Sequence, residues 1–324
     1  MKLKHSIKIA VLSGGFEPEN YCSNLTGDNI LAALKNAGFK HTYKLQVNKN
    51  IAQKLINDKP DFAFLSLFCK WGEDGVIQSL LEILDIPYSG SGVETSALCK
   101  NKYFFSKFVR GLGLHTPQTY FYGNEQEYHQ FDIKGLIYPC IVKGVYQGYS
   151  LGTSLVQSKT KLNAAIKSAF EFSAKITIEE YIDGKEFTVG IIDIPNKEPL
   201  VLPIIEIKFK KIKIQNTEVK DNPDLIEEII PAPLTSRERA TLSSQSLHLY
   251  NKLGCLGVAR FDIRQKSNGV FYFLENNTCP GIISYEHSDL PKQLKSMGIS
   301  LKQFVEYMII AGLNRPETKR EYIC

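Results

Sequence analysis

Two short stretches near the C-terminus carry the residue types that handle metal and phosphate. In "ARFDI" the two-residue period of a strand puts Arg260 and Asp262 on one face and Phe261 on the other. In "FLENN" it puts Glu275 and Asn277 together, opposite Asn276. The runs "VARFDIRQ" and "VFYFLENN" flank Asn268-Gly269, a dipeptide that favours a hairpin turn. Paired through that turn, Asp262, Glu275 and Asn277 converge from neighbouring strands. Two hard carboxylates and a carboxamide oxygen suit Mg²⁺, which takes few protein ligands and leaves positions for phosphate oxygens. The same residues would equally suit the solvated face of an ordinary hairpin, so this feature alone leaves both readings open.

A second group is basic and glycine-rich. Lys143 closes the apolar run "YPCIVK", where a buried ammonium is costly unless it meets an anion. Gly148 and Gly152 follow it in "GVYQGYSLG" and allow backbone N–H groups to approach a phosphate. The spacing is not that of a P-loop, and one glycine-rich loop is weak evidence. Lys102, in "KNKYFFSK", is either a further phosphate contact or a plain solvated helical lysine. "IEEYIDGKEF" offers an acidic-aromatic edge for an adenine and, through Glu186, a ribose hydroxyl.

The elements that must hold these residues follow from hydrophobic spacing. "IKIAVLSGG" reads as a strand closed by a glycine turn, and "TGDNILAALKNAGF" as the helix after it; "DFAFLSLF" (61 to 68) and "VIQSLLEILDI" repeat the unit. Two strand-turn-helix units predict a parallel, Rossmann-like sheet with functional loops at the carboxyl ends of its strands. After the Pro-Gly-Ser-rich "IPYSGSG" come a helix over about 94–111, a hairpin around the glycine loop, a helix over 160–173, and two strands about the turn Asp183-Gly184. Beyond these lie the strand-like "LVLPIIEIKF", a polar stretch without structure at 214–228, the helix "SRERATLSSQSLHLYNKLG", the hairpin already described, and the amphipathic "LKQFVEYMIIAGL". The expected organisation is an N-terminal domain at 1–91, a small central lobe at 92–183 and a C-terminal lobe at 184–324.

Composition narrows the classes. With 43% hydrophobic and 23% charged residues in 324, the chain can bury a sizeable core. The net charge of +5 is mild and dispersed, and "KFKKIK" reads as a solvated face, so no nucleic-acid partner is expected. No window approaches 18 apolar residues and none is expected to meet a membrane. The seven cysteines lack CxxC spacing, which predicts a reducing, cytoplasmic setting.

The motifs "VLSGGFEPEN", "WGEDGVIQSLLEILDIPYSGSG", "YPCIVKGVYQGYSLGTS", "IEEYIDGKEFTV", "GVARFDI" and "FLENNTCPGIIS" occur in the order and spacing of the D-alanine–D-alanine ligases. The chain resembles that family, part of the ATP-grasp superfamily, over about residues 7 to 315. The resemblance implies an ATP-grasp fold, α/β and α+β, behind a Rossmann-like parallel-sheet N-terminal domain. It implies ATP with two Mg²⁺ ions, or Mn²⁺ in their stead, an amino-acid donor, an amine acceptor and a homodimer. Lys102 and Lys143 match the phosphate ligands, Glu179, Tyr181 and Ile182 the adenine hinge, Glu186 the ribose contact, and Asp262, Glu275 and Asn277 the metal ligands. Arg260 and the Gly281 N–H match the oxyanion donors, which contribute roughly 3 to 4 kcal/mol in such roles. Ser150 matches the loop serine, Lys220 the mobile-loop lysine, and Glu19 the carboxylate that holds the donor's ammonium. The implied reaction activates a carboxylate as an acyl phosphate, which an amine then attacks.

Departures from the family pattern cluster on the acceptor side. Tyr149 stands in place of a serine, Asp221 in place of a tyrosine, and Glu286-His287 in place of a serine-leucine pair; Phe68 replaces a histidine and Tyr21 an acidic residue. The expectation is therefore an amide-forming ligase with an altered acceptor, set against a true D-alanine–D-alanine ligase of peptidoglycan synthesis and a catalytically silent nucleotide-binding protein. Cys279 is expected to pack or donate a weak hydrogen bond and Trp71 to cap the first sheet, and His115 and His248, without partners at ligand spacing, are expected to have no role.

Overall fold

The computed structural model describes residues 3–15, 19–68, 70–130, 135–148, 150–210, 214, 222–284 and 288–315. The N-terminal segment alternates β1 (Lys8–Gly14), α1 (Glu19–Asn36), β2 (His41–Val47), α2 (Ile51–Asp58), β3 (Phe62–Leu65) and α3 (Val76–Ile83). Its sheet is parallel, in the order β2-β1-β3. The central strand buries Ile9, Ala10, Val11 and Leu12 on both faces, as a strand covered by helices must. The unit β2–α2, hidden in the sequence by the polar texture of "HTYKLQV", is the addition to the expected pattern.

The helix expected over 94–111 is two, α4 (Val93–Lys100) and α5 (Lys102–Gly111). Asn101 sits between them with extended backbone, and its side chain accepts a hydrogen bond from the Phe104 N–H as the cap of α5. Both helices send side chains (Cys99, Phe105, Val109) into the core beneath the larger, later sheet.

A four-stranded antiparallel sheet follows, ordered β4-β7-β5-β6 from β4 (Thr119–Tyr122), β5 (Cys140–Gly144), β6 (Ser154–Val156) and β7 (Ile176–Glu180). Between these strands lie α6 (Glu125–Gln130) and α7 (Lys159–Phe172), the latter packing Leu162, Ala165, Ile166 and Ala169 on one face of the sheet. The glycine loop joins β5 to β6, as expected for a hairpin.

Asp183-Gly184 is not a hairpin turn. The chain crosses there from the four-stranded sheet to a second one, of β8 (Gly184–Ile192), β9 (Leu200–Val201), β10 (Ile205–Phe209), β11 (Ile226–Ile229), β12 (Val258–Lys266) and β13 (Phe271–Asn277). Glycine is required at the crossing: its φ is 150° and a Cβ there would meet the Gln265 carbonyl at 1.9 Å. The polar stretch expected to lack structure runs into β11, which pairs antiparallel with β10. The helix α8 (Ser236–Lys252) opens on a capping box between Thr235 and Glu238. Last come α9 (Asp289–Ser296) and α10 (Leu301–Leu313), and α10 shares with α1 and the parallel sheet a core that includes Phe304, Val305 and Met308. Among the described residues no helix is long and apolar enough to cross a membrane.

Candidate active site

The β12–β13 register decides which side chains meet. Near the turn Gln265 faces Phe271 and Ile263 faces Phe273, but Asp262 faces Glu275 and Arg260 faces Asn277. The shift between Asp262 and Ile263 is a bulge that absorbs Leu274. Without it Asp262 would oppose Leu274 and Glu275 would turn to the other face, since a one-residue slip inverts a strand. That other face is core: Phe261 and Phe273 meet edge to face, their centroids 6.0 Å apart, and Asn276 donates to the Cys99 and Cys255 sulfurs at 3.2 and 3.4 Å.

On the polar face, Arg260 donates from Nε and a terminal nitrogen to the two Asp262 oxygens at 3.1 and 3.0 Å, and Asn277 donates to Asp262 Oδ2 at 3.1 Å. Lys102 reaches Glu275 at 3.2 Å and donates to the Gln147 carbonyl at 2.8 Å. Lys143 pairs with Glu179 at 2.8 Å. Burial pushes the Asp262 carboxyl up, Arg260 opposes the rise and Glu275 adds to it, leaving the group at about 7. Burial works against the Lys143 charge, but Glu179, Glu275 and Asp262 outweigh it and lift the ammonium above the usual lysine range.

These groups line a cleft between the two antiparallel sheets. Tyr181 and Ile182, at the crossing between sheets, line it beside Glu179, Glu186 and Ser150. Ser150 has a φ of 57°, a strained value for serine, in the turn that leads to Gly152. Glu186 is held by Arg264, a residue the sequence reading passed over: Nε donates to Glu186 at 2.8 Å and another guanidinium nitrogen to the Ile182 carbonyl at 3.0 Å. The alternation of "RFDIR" was the available signal, because Arg264 shares a face with Arg260 and Asp262.

The opposite end of the polar face is built from connections. A methyl group placed on Gly281 would lie 3.5 Å from the Phe68 ring and 3.8 Å from Ser288 Oγ, so all three bound one space. Ser288 Oγ accepts from the Ile283 N–H at 3.1 Å. Sequence reading placed the serine-leucine pair at Glu286-His287; Ser288-Asp289, two residues on, brings a hydroxyl to Gly281. Glu19 begins α1, half-buried and outside the cleft lining. Tyr149, Lys220, Asp221 and Glu286 lie outside the described residues. Cys279 directs its thiol to the Leu65 carbonyl at 3.7 Å, with burial pushing its pKa up, and Trp71 packs on the N-terminal core; neither is placed to react.

The donor set fits Mg²⁺. Asp262 and Glu275 are like charges directly opposed in an antiparallel pair, a destabilising arrangement that Arg260 beside Asp262 and Lys102 beside Glu275 offset and that a bound cation would offset further. Among the described residues no three or more His, Cys, Asp or Glu side chains form a protein-only metal cage. Two carboxylates and a carboxamide suit an ion that completes its shell with phosphate and water.

Comparison with known proteins gives three likenesses beyond a family match. The family described as D-ala D-ala ligase C-terminus matches residues 115–310. A D-alanine–D-alanine ligase from Carboxydothermus hydrogenoformans is 36% identical over 315 residues, spanning 95% of this chain and 98% of its own. The crystal structure of the Bacillus anthracis D-alanine–D-alanine ligase complexed with ATP gives a TM-score of 0.82 at 29% identity, covering 97% of this chain and 99% of the other. The VanG D-Ala:D-Ser ligase from Enterococcus faecalis gives 0.76 at 25% identity, covering 94% and 99%.

Proposed function

We propose, because the chain belongs to the D-alanine–D-alanine ligase family, that it joins one D-alanine to another at the expense of ATP, with Mg²⁺ in the charged cleft. The chain is a ligase with the ATP-grasp fold behind a parallel N-terminal sheet. One observation carries the catalytic reading: Lys102, Lys143 and Arg260 meet the opposed pair Asp262 and Glu275 in one cleft between two antiparallel sheets. Curated relatives at 36% and 37% identity are themselves D-alanine–D-alanine ligases, and Ser288 beside Gly281 supplies the hydroxyl for the acceptor's carboxylate. The altered acceptor expected from Tyr149, Asp221 and Glu286 has no support among the described residues, and the alternative set beside it is the better one.

In this reading Asp262, Glu275 and Asn277 would hold Mg²⁺, which when bound would supply neutralisation of charge on the phosphates. Lys102 and Lys143 exchange their carboxylate partners for phosphate oxygens; Glu179, released by Lys143, keeps the hydrogen bond from Thr177 Oγ1 at 3.0 Å. Tyr181 and Ile182 border the base, and Glu186, braced by Arg264, faces the ribose. The donor's carboxylate oxygen attacks the γ-phosphorus and displaces ADP. The acceptor amine then attacks the acyl carbon, and phosphate leaves with its bridging oxygen. Arg260 and the Gly281 N–H stabilise the oxyanion of that second step, with Lys220 a further contact to the γ-phosphate, and exclusion of water protects the acyl phosphate from hydrolysis.

Steady-state ADP release, with D-alanine as donor and D-alanine, D-serine, D-lactate or simple amines as acceptor, tests the reading. D-Alanine is expected to give the highest kcat/KM as acceptor, and a better acceptor from the panel would overturn it.

A further inference from the structure

Asp289 opens α9, and an acidic residue in a helix's first turn is ordinarily accounted for by the helix dipole. Here its side chain has a more specific address. One carboxylate oxygen lies 3.6 Å from a terminal nitrogen of Arg260, and both side chains are largely shielded from solvent. Arg260 meanwhile directs Nε and its other terminal nitrogen at both oxygens of Asp262. The guanidinium is thus held from two sides, by Asp262 on its own strand and by Asp289 on a helix. That helix is itself well seated: Leu290 and Leu294 are buried, the Gln293 amide donates to the Pro203 carbonyl at 2.9 Å, and Lys292 pairs with Glu228 on β11.

The hold from Asp262 conflicts with that residue's other task. The oxygens that accept from Arg260 are the ones a divalent cation shared with Glu275 would require. Asp289 stands outside that donor set, so its hold on the guanidinium persists when the cation takes Asp262. We propose that Asp289 is a positioning residue for Arg260, retaining the guanidinium at the reacting centre while Asp262 turns to the metal. The inference rests on the ligase reading of Arg260 and Asp262. With Asp289 neutral, Asp262 is the one carboxylate left within ion-pair distance of Arg260 among the described residues, and the arginine competes with the metal for it; turnover falls because the arginine either blocks the metal or leaves its place.

Binding of Mn²⁺ to the enzyme–ADP complex, followed by electron paramagnetic resonance, reads this competition without turnover. In Asp289→Asn the Mn²⁺ affinity is expected to fall about tenfold, as when a group orienting a metal ligand is removed, and kcat to fall with little change in the KM for ATP. Asp289→Glu is expected to restore both, a rescue that a purely structural role would not require. Asp289→Ser, which suits a helix start, repeats the test should the asparagine variant fold poorly. Wild-type Mn²⁺ affinity in a folded Asp289→Asn or Asp289→Ser protein would overturn the inference. A wild-type protein that binds no Mn²⁺ with ADP would instead overturn the ligase reading, and this inference with it.

Discussion

The two ends of the polar face are built by different means. At the nucleotide end, Arg260, Asp262, Glu275 and Asn277 rise from two paired strands, and Arg264 and Glu186 face each other across the next pair in the same sheet. Each charge there has an opposite charge within reach, and the backbone positions of the strand-borne ones are fixed by the register of the sheet. At the acceptor end, Phe68 comes from the connection after β3, and Gly281 and Ser288 both come from the one between β13 and α9. Side chains carried on connections can be exchanged without disturbing the register that fixes the phosphate chemistry. The difference teaches why one fold can keep its phosphoryl-transfer apparatus and vary what it joins: a D-Ala:D-Ser ligase gives a TM-score of 0.76 with this chain.

The strongest attempt to break this comparison is Asp262→Asn, which removes a charge from the strand-borne end while keeping its shape. Turnover is expected to fall about 1000-fold with the fold retained by circular dichroism; activity within tenfold of wild type would mean the chemistry lies elsewhere. Next is Lys143→Met, which leaves Glu179 unpaired where the two side chains are only 12% and 7% exposed. Stability is expected to drop by about 3 kcal/mol in urea unfolding, and most of that should return in the double variant with Glu179→Gln, because the cost is that of a stranded buried charge. Ser288→Ala sharpens the acceptor end: the KM for the acceptor should rise about tenfold, as for a lost hydrogen bond to a charged group, with the KM for ATP unchanged. The smallest effect is expected outside both ends. Thr235→Ala removes the cap of α8 and should cost about 1 kcal/mol of stability, with kcat unaltered in the same preparation.

What the sequence makes legible follows the same division. Arg260, Asp262, Glu275 and Asn277 could be placed on one face from period-two alternation alone, and the structure brings them there. The route differs, since the register at the turn is offset by one residue and the Leu274 bulge restores it; a bulge leaves little mark in a pattern of apolar and polar residues. Lys143 was legible as a lysine that needed an anion, and its present partner is Glu179. The sequence gives Asp183-Gly184 only as a turn, because a turn between two alternating strands looks the same whether the strands pair or part. Motif spacing alone points to Glu286-His287 and not to Ser288 and Asp289, which only three-dimensional proximity to Gly281 and Arg260 singles out. The polar 214–228 stretch hid β11, whose "IEEI" owes its strand state to pairing with β10 and not to its own composition.

In the proposed reaction this cleft activates a D-alanine carboxylate by phosphorylation and hands it to a second D-alanine. Incubation with ATP, Mg²⁺ and D-alanine labelled with ¹⁸O in its carboxylate tests it most directly, with mass spectrometry of both products. The account predicts D-alanyl-D-alanine together with phosphate carrying one ¹⁸O atom, the bridging oxygen of the acyl phosphate. Unlabelled phosphate, or labelled phosphate accompanied by a different amide, would contradict it.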